Sequence, residues 1–134
     1  MGLCSLSVRT RSAVFLVILA VSAAALFKFP DLDIPLLGIG NHRYFLFHSA
    51  IVPLAAWYAL RRWRFVGLAL VAGFALGVGV HLFTDVFQTK SVVFPIVGTL
   101  VRGSSVDDRL WEGGNALACG VITWRGWTRR ERGV

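Results

Sequence analysis

Three histidines and three of the seven acidic residues of this chain, all able to bind a cation or move a proton, fall in two short stretches. Asp31, Asp33, His42 and His48 make the first, His81 and Asp85 the second, and no histidine lies outside them. Mixed imidazole and carboxylate ligation suits zinc first and manganese or iron next; calcium and magnesium prefer oxygen alone. His81 and Asp85 stand four apart, so on a helix both project from one face and can share one ion or one hydrogen bond. Asp31 and Asp33 stand two apart in a loop, which lets both carboxylates turn toward a common cation. Six candidates exceed the three or four protein ligands usual for one zinc. Either two metals bind, or some of the six orient the ligands and supply a base. A divalent metal in such a place lowers the pKa of a bound water and polarises an ester or phosphoryl oxygen. Arg43, beside His42, has a planar fork suited to a phosphate or carboxylate.

The rest of the chain is apolar. Of 134 residues 56% are hydrophobic and only 16% charged, with a mean hydropathy of +0.68. That composition excludes an ordinary soluble domain and points to one small integral membrane unit over residues 1–134. The net charge of +7 is not read as a nucleic-acid surface, because the basic residues sit in the gaps between apolar runs rather than on one accessible face. Cys4 and Cys119 form no CxxC pair and should lie at different depths, so neither a disulfide nor a thiolate metal site is expected.

The elements that must position the six residues follow from hydropathy. A first helix is expected over about 12–29, where Arg9 and Arg11 precede an uncharged run. A cleaved signal peptide has the same pattern, and both readings stay open. Pro30 and Pro35, with Gly38 and Gly40, make residues 30–41 a loop. Asn41 is expected to cap a second helix over about 42–60, which carries His48 and ends at Trp57 and Tyr58. Arg61 to Arg64 turn the chain into a third helix, about 65–87, uncharged from Phe65 to Val80. Ala69, Gly73 and Gly77 form a ridge of small residues on it. A neighbouring helix can approach closely there, and the same step of four leads on to His81 and Asp85. Residues 92–101 are too short to span and are broken by Pro95 and Gly98, so an interfacial or re-entrant segment is expected. A weaker fourth helix over about 110–124, flanked by Trp111 and Trp124, precedes a solvated basic tail, 125–134. The expected fold is therefore an all-α membrane bundle of about four transmembrane helices.

Basic charge orients it. Nine of the fourteen Lys and Arg residues lie before helix 1, between helices 2 and 3, or after helix 4; the other five, Lys28, Arg43, Lys90, Arg102 and Arg109, lie in the opposite gaps. Both termini are thus expected in the cytoplasm of an inner or plasma membrane protein. Asp31, Asp33, His42, His81 and Asp85 then share the outer face, with His48 one to two turns deeper. Ionisable groups so placed are costly unless they bind something or one another. Each motif also has a plain reading: HxxxD as a histidine hydrogen-bonded to an acid, Asp-x-Asp as turn chemistry, Asn41 and Ser49 as cap and packing residues, Arg43 as an interface anchor. Only their conjunction is specific.

Asp31-Leu-Asp33, then His42-Arg43 with His48-Ser49, then His81-Leu-Phe-Thr-Asp85, resemble the YdjM-type family, described as LexA-regulated inner-membrane metal-dependent hydrolases. The resemblance covers roughly residues 30–100. Here four residues separate His42-Arg43 from His48-Ser49, where many relatives have three. The resemblance implies a multi-pass helical fold and hydrolase activity, with a more distant similarity to zinc-dependent phospholipase C. Lipid phosphatases of the type-2 phosphatidic acid phosphatase class also use His-x-x-x-Asp, but the Pro-Ser-Gly-His-like motif they need is absent.

The expected activity is metal-assisted hydrolysis of an ester or phosphoester, with a lipid as one candidate substrate, since a site at headgroup depth meets the bilayer's lipids first. His42, His48, His81 and Asp85 are the expected metal ligands, Asp31 or Asp33 a further ligand or the base, and Arg43 the substrate's anion partner. A non-catalytic membrane scaffold and a small metal or proton transporter are the alternatives. A homo-oligomer is left open.

Overall fold

An unbroken apolar run makes one helix the axis of the fold. In the computed structural model, which describes residues 8–39, 42–88, 92–94, 98–99 and 105–132, this axis is a 22-residue helix, Arg64–Asp85. It is the fourth helix in chain order, α4, after α1 (Val8–Leu26), α2 (Asp33–Leu37) and α3 (Ile51–Leu60); α5 (Ser105–Arg132) follows. Ala69, Val71, Ala72, Ala75, Val78 and Leu82 of α4 are all buried.

The ridge of small residues is where α1 docks. A methyl group on Gly73 would collide with the Leu19 carbonyl and the Ser22 hydroxyl, and one on Gly77 with the Ala23 carbonyl. Ser22 Oγ also donates to the Leu70 carbonyl at 2.9 Å. Leu19 beside Gly73 and Ala23 beside Gly77 show that α1 and α4 run parallel. On the other side α5 runs antiparallel, with Gly126 against Leu68 and Ala72, and Gly79 against Cys119. Phe15 ties the far end of the bundle, meeting Phe65 and Trp127 edge-on at 5.6 and 5.9 Å.

Two stretches, Arg9–Leu37 and Phe65–Asp85, are long and apolar enough to cross a membrane. The first is not one continuous helix. It breaks after Leu26 and resumes as a 3-10 turn, Pro30–Leu32, and the five-residue α2. The expected loop over 30–41 is therefore partly helical, because Pro30 and Pro35 sit in first turns, where the missing N–H costs nothing.

The second expected helix needs the largest correction. Residues 42–50 form turns, and α3 covers only Ile51–Leu60, about 15 Å at the α-helical rise, half of a hydrocarbon core. Pro53 sets that start, since a proline ring clashes with the preceding turn anywhere but at a helix beginning. The backbone before it is engaged elsewhere. Phe45 N–H donates to Val93 C=O at 2.9 Å, Val93 N–H to Arg43 C=O at 3.0 Å, and Ala50 N–H to Asn115 Oδ1 at 2.8 Å. Asn41, the expected cap, lies outside the described residues.

The helix expected over about 110–124 is α5, longer than expected at both ends, and the tail expected to be solvated is helical to Arg132. Its inner face keeps packing there, through buried Ile122 and Gly126, while Arg129 lies over the Trp57 ring at 5.3 Å. Within the interfacial segment, Val93–Phe94 (β1) pairs antiparallel with Gly98–Thr99 (β2); Pro95 lies outside the described residues.

Candidate metal centre

The parallel α1 and α4 end at the same level, so the chain that leaves α1 meets the last turn of α4. Phe27 packs edge-on against the His81 ring at 5.3 Å, and Asp31 Oδ1 comes within 3.5 Å of His81 Nε2. One turn on, Asp85 Oδ2 lies 3.4 Å from His81 Nε2 and 3.5 Å from His48 Nε2. His48 sits on the turn before α3 rather than on a helix. Its position is fixed by Trp111 of α5, whose indole N–H donates to the His48 carbonyl at 2.9 Å.

Asp33, at the start of α2, anchors the remaining two members. Its Oδ1 is 3.2 Å from His42 Nδ1, and its Oδ2 is 3.3 Å from His48 Nδ1 and accepts from Tyr44 N–H at 2.8 Å. A carboxylate set against Nδ1 of two histidines leaves their Nε2 atoms facing away from it, the usual arrangement behind a metal-binding imidazole. All six expected side chains thus meet at one end of the bundle. Two groups within it have ligand atoms within 4.8 Å of one another, Asp31 with His42 and His48, and His48 with His81 and Asp85. His48 belongs to both.

The donor set fits a cation. His48 is fully buried, yet neither ring nitrogen has a hydrogen-bond partner among the described residues, and His81 Nδ1 has none either. The nearest carboxylate oxygens to the His48 ring stand at charge-pairing distance, Asp33 Oδ2 3.3 Å from Nδ1 and Asp85 Oδ2 3.5 Å from Nε2. Buried polar atoms are rarely left without a hydrogen bond. Among the described residues, Asp31, Asp33, Asp85, Asp108 and Glu112 bring five carboxylates to this end of the bundle, where the Arg43 guanidinium pairs with Asp85 and Glu112; a bound cation would offset the excess.

Arg43 has other partners than a substrate anion. It is 1% exposed, and its Nη1 donates to Glu112 Oε1 at 2.8 Å. Nη2 donates to Gln88 Oε1 at 3.0 Å and lies 3.2 Å from Asp85 Oδ1. Gln88 Nε2 donates to that same oxygen at 3.0 Å. Asp85 is therefore divided, with Oδ1 held by Arg43 and Gln88 and Oδ2 turned to the histidines. The backbone of Arg43 is left-handed, φ 67°, a conformation costly for a residue with a Cβ and one that persists where the surroundings over-determine it.

Ser49 and the tryptophans resolve more simply. Ser49 Oγ donates to Leu46 C=O at 2.9 Å and accepts from Ile51 N–H at 3.3 Å, a local turn role. Trp111, expected at a membrane interface, is half-buried behind His48, whereas Trp124 is exposed. Sequence reasoning missed Glu112 and Gln88. A lone acid in an apolar helix was the available signal for Glu112, and Gln88 sits one turn beyond Asp85.

Fold and site together define a small helical bundle, apolar enough in two stretches to cross a membrane, with a buried histidine and carboxylate cluster able to hold a metal at one end. No family model, curated protein or solved structure matches the chain.

Proposed function

We propose that this chain is a multi-pass membrane protein that hydrolyses an ester or phosphoester with a divalent metal held by the cluster, and that it belongs with the YdjM-type hydrolases its motifs resemble. The observation that carries the reading is the geometry around Asp85 Oδ2, at which His48 Nε2 and His81 Nε2 both aim from 3.5 and 3.4 Å, while the buried His48 ring has no hydrogen-bond partner among the described residues. A cation held there supplies Lewis-acid activation of water and of an ester or phosphoryl oxygen. Zinc is the first candidate, with manganese and iron next.

The chain's own residues divide the remaining work. Asp33, fully buried with both oxygens engaged, orients His42 and His48. Asp31, whose side chain is 35% exposed, is the carboxylate a water can reach, so it is assigned as the base or an outer ligand. Arg43 holds Asp85 in place. The positive-inside bias supports both termini in the cytoplasm and the cluster at the extracytoplasmic face, where a lipid phosphoester is the nearest substrate.

A transporter needs polar groups continuing across the bilayer, and the α4 residues between Leu68 and Val80 that face the core are apolar. The scaffold reading has in its favour that the cluster's groups pair with one another, Asp33 with His42 by a hydrogen bond and His48 and His81 with Asp31, Asp33 and Asp85 at 3.3–3.5 Å. It predicts a stable fold without metal. The deciding experiment is hydrolysis of short and long-chain phosphoesters by detergent-purified protein. Activity should vanish with chelator, return with zinc or manganese, and be absent in His81→Ala; activity that survives chelation and the substitution would overturn the proposal.

A further inference from the structure

Behind the metal centre, on the opposite flank of the α4 and α5 seam, lies an open groove of about 670 Å³. It runs from Ala75 along α4 to Val86 just past its end and from Arg109 to Gly120 along α5, and Arg109 is the one charged residue lining it among the described residues. Twelve residues on each wall, eleven rises at helical spacing, give a length of about 16 Å. That is one leaflet's share of a hydrocarbon core about 30 Å thick.

The groove's ends differ in the way a lipid's do. Val86 and Gly113 directly follow Asp85 and Glu112, so the Arg109 end lies at the level of the site, at headgroup depth on the topology proposed above. The other end reaches mid-bundle, where Gly120 faces open space. Val80, Phe83 and Leu117 on the walls are exposed, at 45%, 58% and 75%. Gly114 and Gly120 would meet nothing if a Cβ were added, so they serve no packing within the chain and keep the groove open. An exposed guanidinium at one end of an apolar trough one leaflet long is complementary to a phosphate followed by an acyl chain.

We infer that this groove binds a phospholipid of the outer leaflet, its acyl chain along α4 and α5 and its phosphate on Arg109. The inference rests on the membrane reading but not on metal or hydrolysis. Native mass spectrometry of the full chain, released from detergent after incubation with dioleoyl phosphatidylglycerol or with dioleoylglycerol, tests it. Wild type should retain one phosphatidylglycerol. Arg109→Gln should weaken that binding about tenfold, the scale of one charge-assisted contact, and leave dioleoylglycerol unaffected. The Gly114→Leu, Gly120→Leu double variant should lose both lipids with its melting temperature kept, since a Cβ at either position meets nothing within 4 Å among the described residues. Lipid retention equal to wild type in the double variant overturns the inference, as does a dimer in wild type that the double variant abolishes, which would make a second copy the occupant. Extraction of the chain from membranes by alkaline carbonate would bring down the membrane reading itself; retention there without bound lipid removes the groove assignment alone.

Discussion

Arg43 is the residue on which the site's architecture turns. Its guanidinium joins three separately coded pieces, the turn before α3, the end of α4 and the start of α5, through Gln88, Asp85 and Glu112. Such a group is expensive to leave half-paired. Arg43→Gln should destabilise the protein by about 3–5 kcal/mol, because it strands the carboxylates of Glu112 and Asp85 in a buried place. Replacing both partners, Arg43→Met with Glu112→Leu, should cost less than Arg43→Gln alone, as measured by denaturant titration in micelles. An equal or larger loss in the double variant would show that the pair is no unit. Asp33 invites a second test. Asp33→Asn keeps the shape and the Tyr44 N–H bond while removing the charge behind His42 and His48, so metal affinity should fall about 10 to 100-fold with the fold retained; unchanged affinity by competitive chelator titration would remove Asp33 from its orienting role.

At the scale of elements, the glycines separate into two populations with opposite expected responses. Gly73→Ala thrusts a methyl into the Leu19 carbonyl and the Ser22 hydroxyl, and should cost about 1–3 kcal/mol by forcing α1 off α4. Gly120→Ala meets open space and should be neutral or stabilising by up to about 1 kcal/mol, the helix preference of alanine over glycine. Equal responses in an unfolding assay would contradict the packing. The ridge that makes this distinction was legible in the sequence, because a step of four small residues in an uncharged run has few other uses. So was the meeting of the six site residues, which followed from charge bias and hydropathy. The full span over 42–60 was not. Pro53 marks the late start of α3 locally, but the turn before it pairs with Val93 and Asn115 and leaves no trace in hydropathy. Glu112 was hidden for a related reason: its partner lies 69 positions away, and distant ion pairs have no spacing to read.

For the molecule as a whole, the two ends are chemically distinct. One gathers every histidine; the other carries Arg9, Arg11, Arg61, Arg62, Arg125 and Arg129, with aromatic rings such as Trp57 beneath Arg129. On the topology proposed above, a bundle so polarised sits with its basic end in the cytoplasm. A cysteine introduced at exposed Ile39 should accordingly react with an impermeant maleimide added to the outside of intact cells, and one at exposed Arg62 should not; the reverse pattern would invert the topology. The central claim is that the cluster is a metal centre, and the metal content of detergent-purified protein addresses it most directly. Elemental mass spectrometry should find stoichiometric zinc, manganese or iron in the wild type and none in the His48→Ala, His81→Ala double variant. A wild-type protein that holds no metal even after reconstitution with added ions would contradict the account and leave a hydrogen-bonded scaffold in its place.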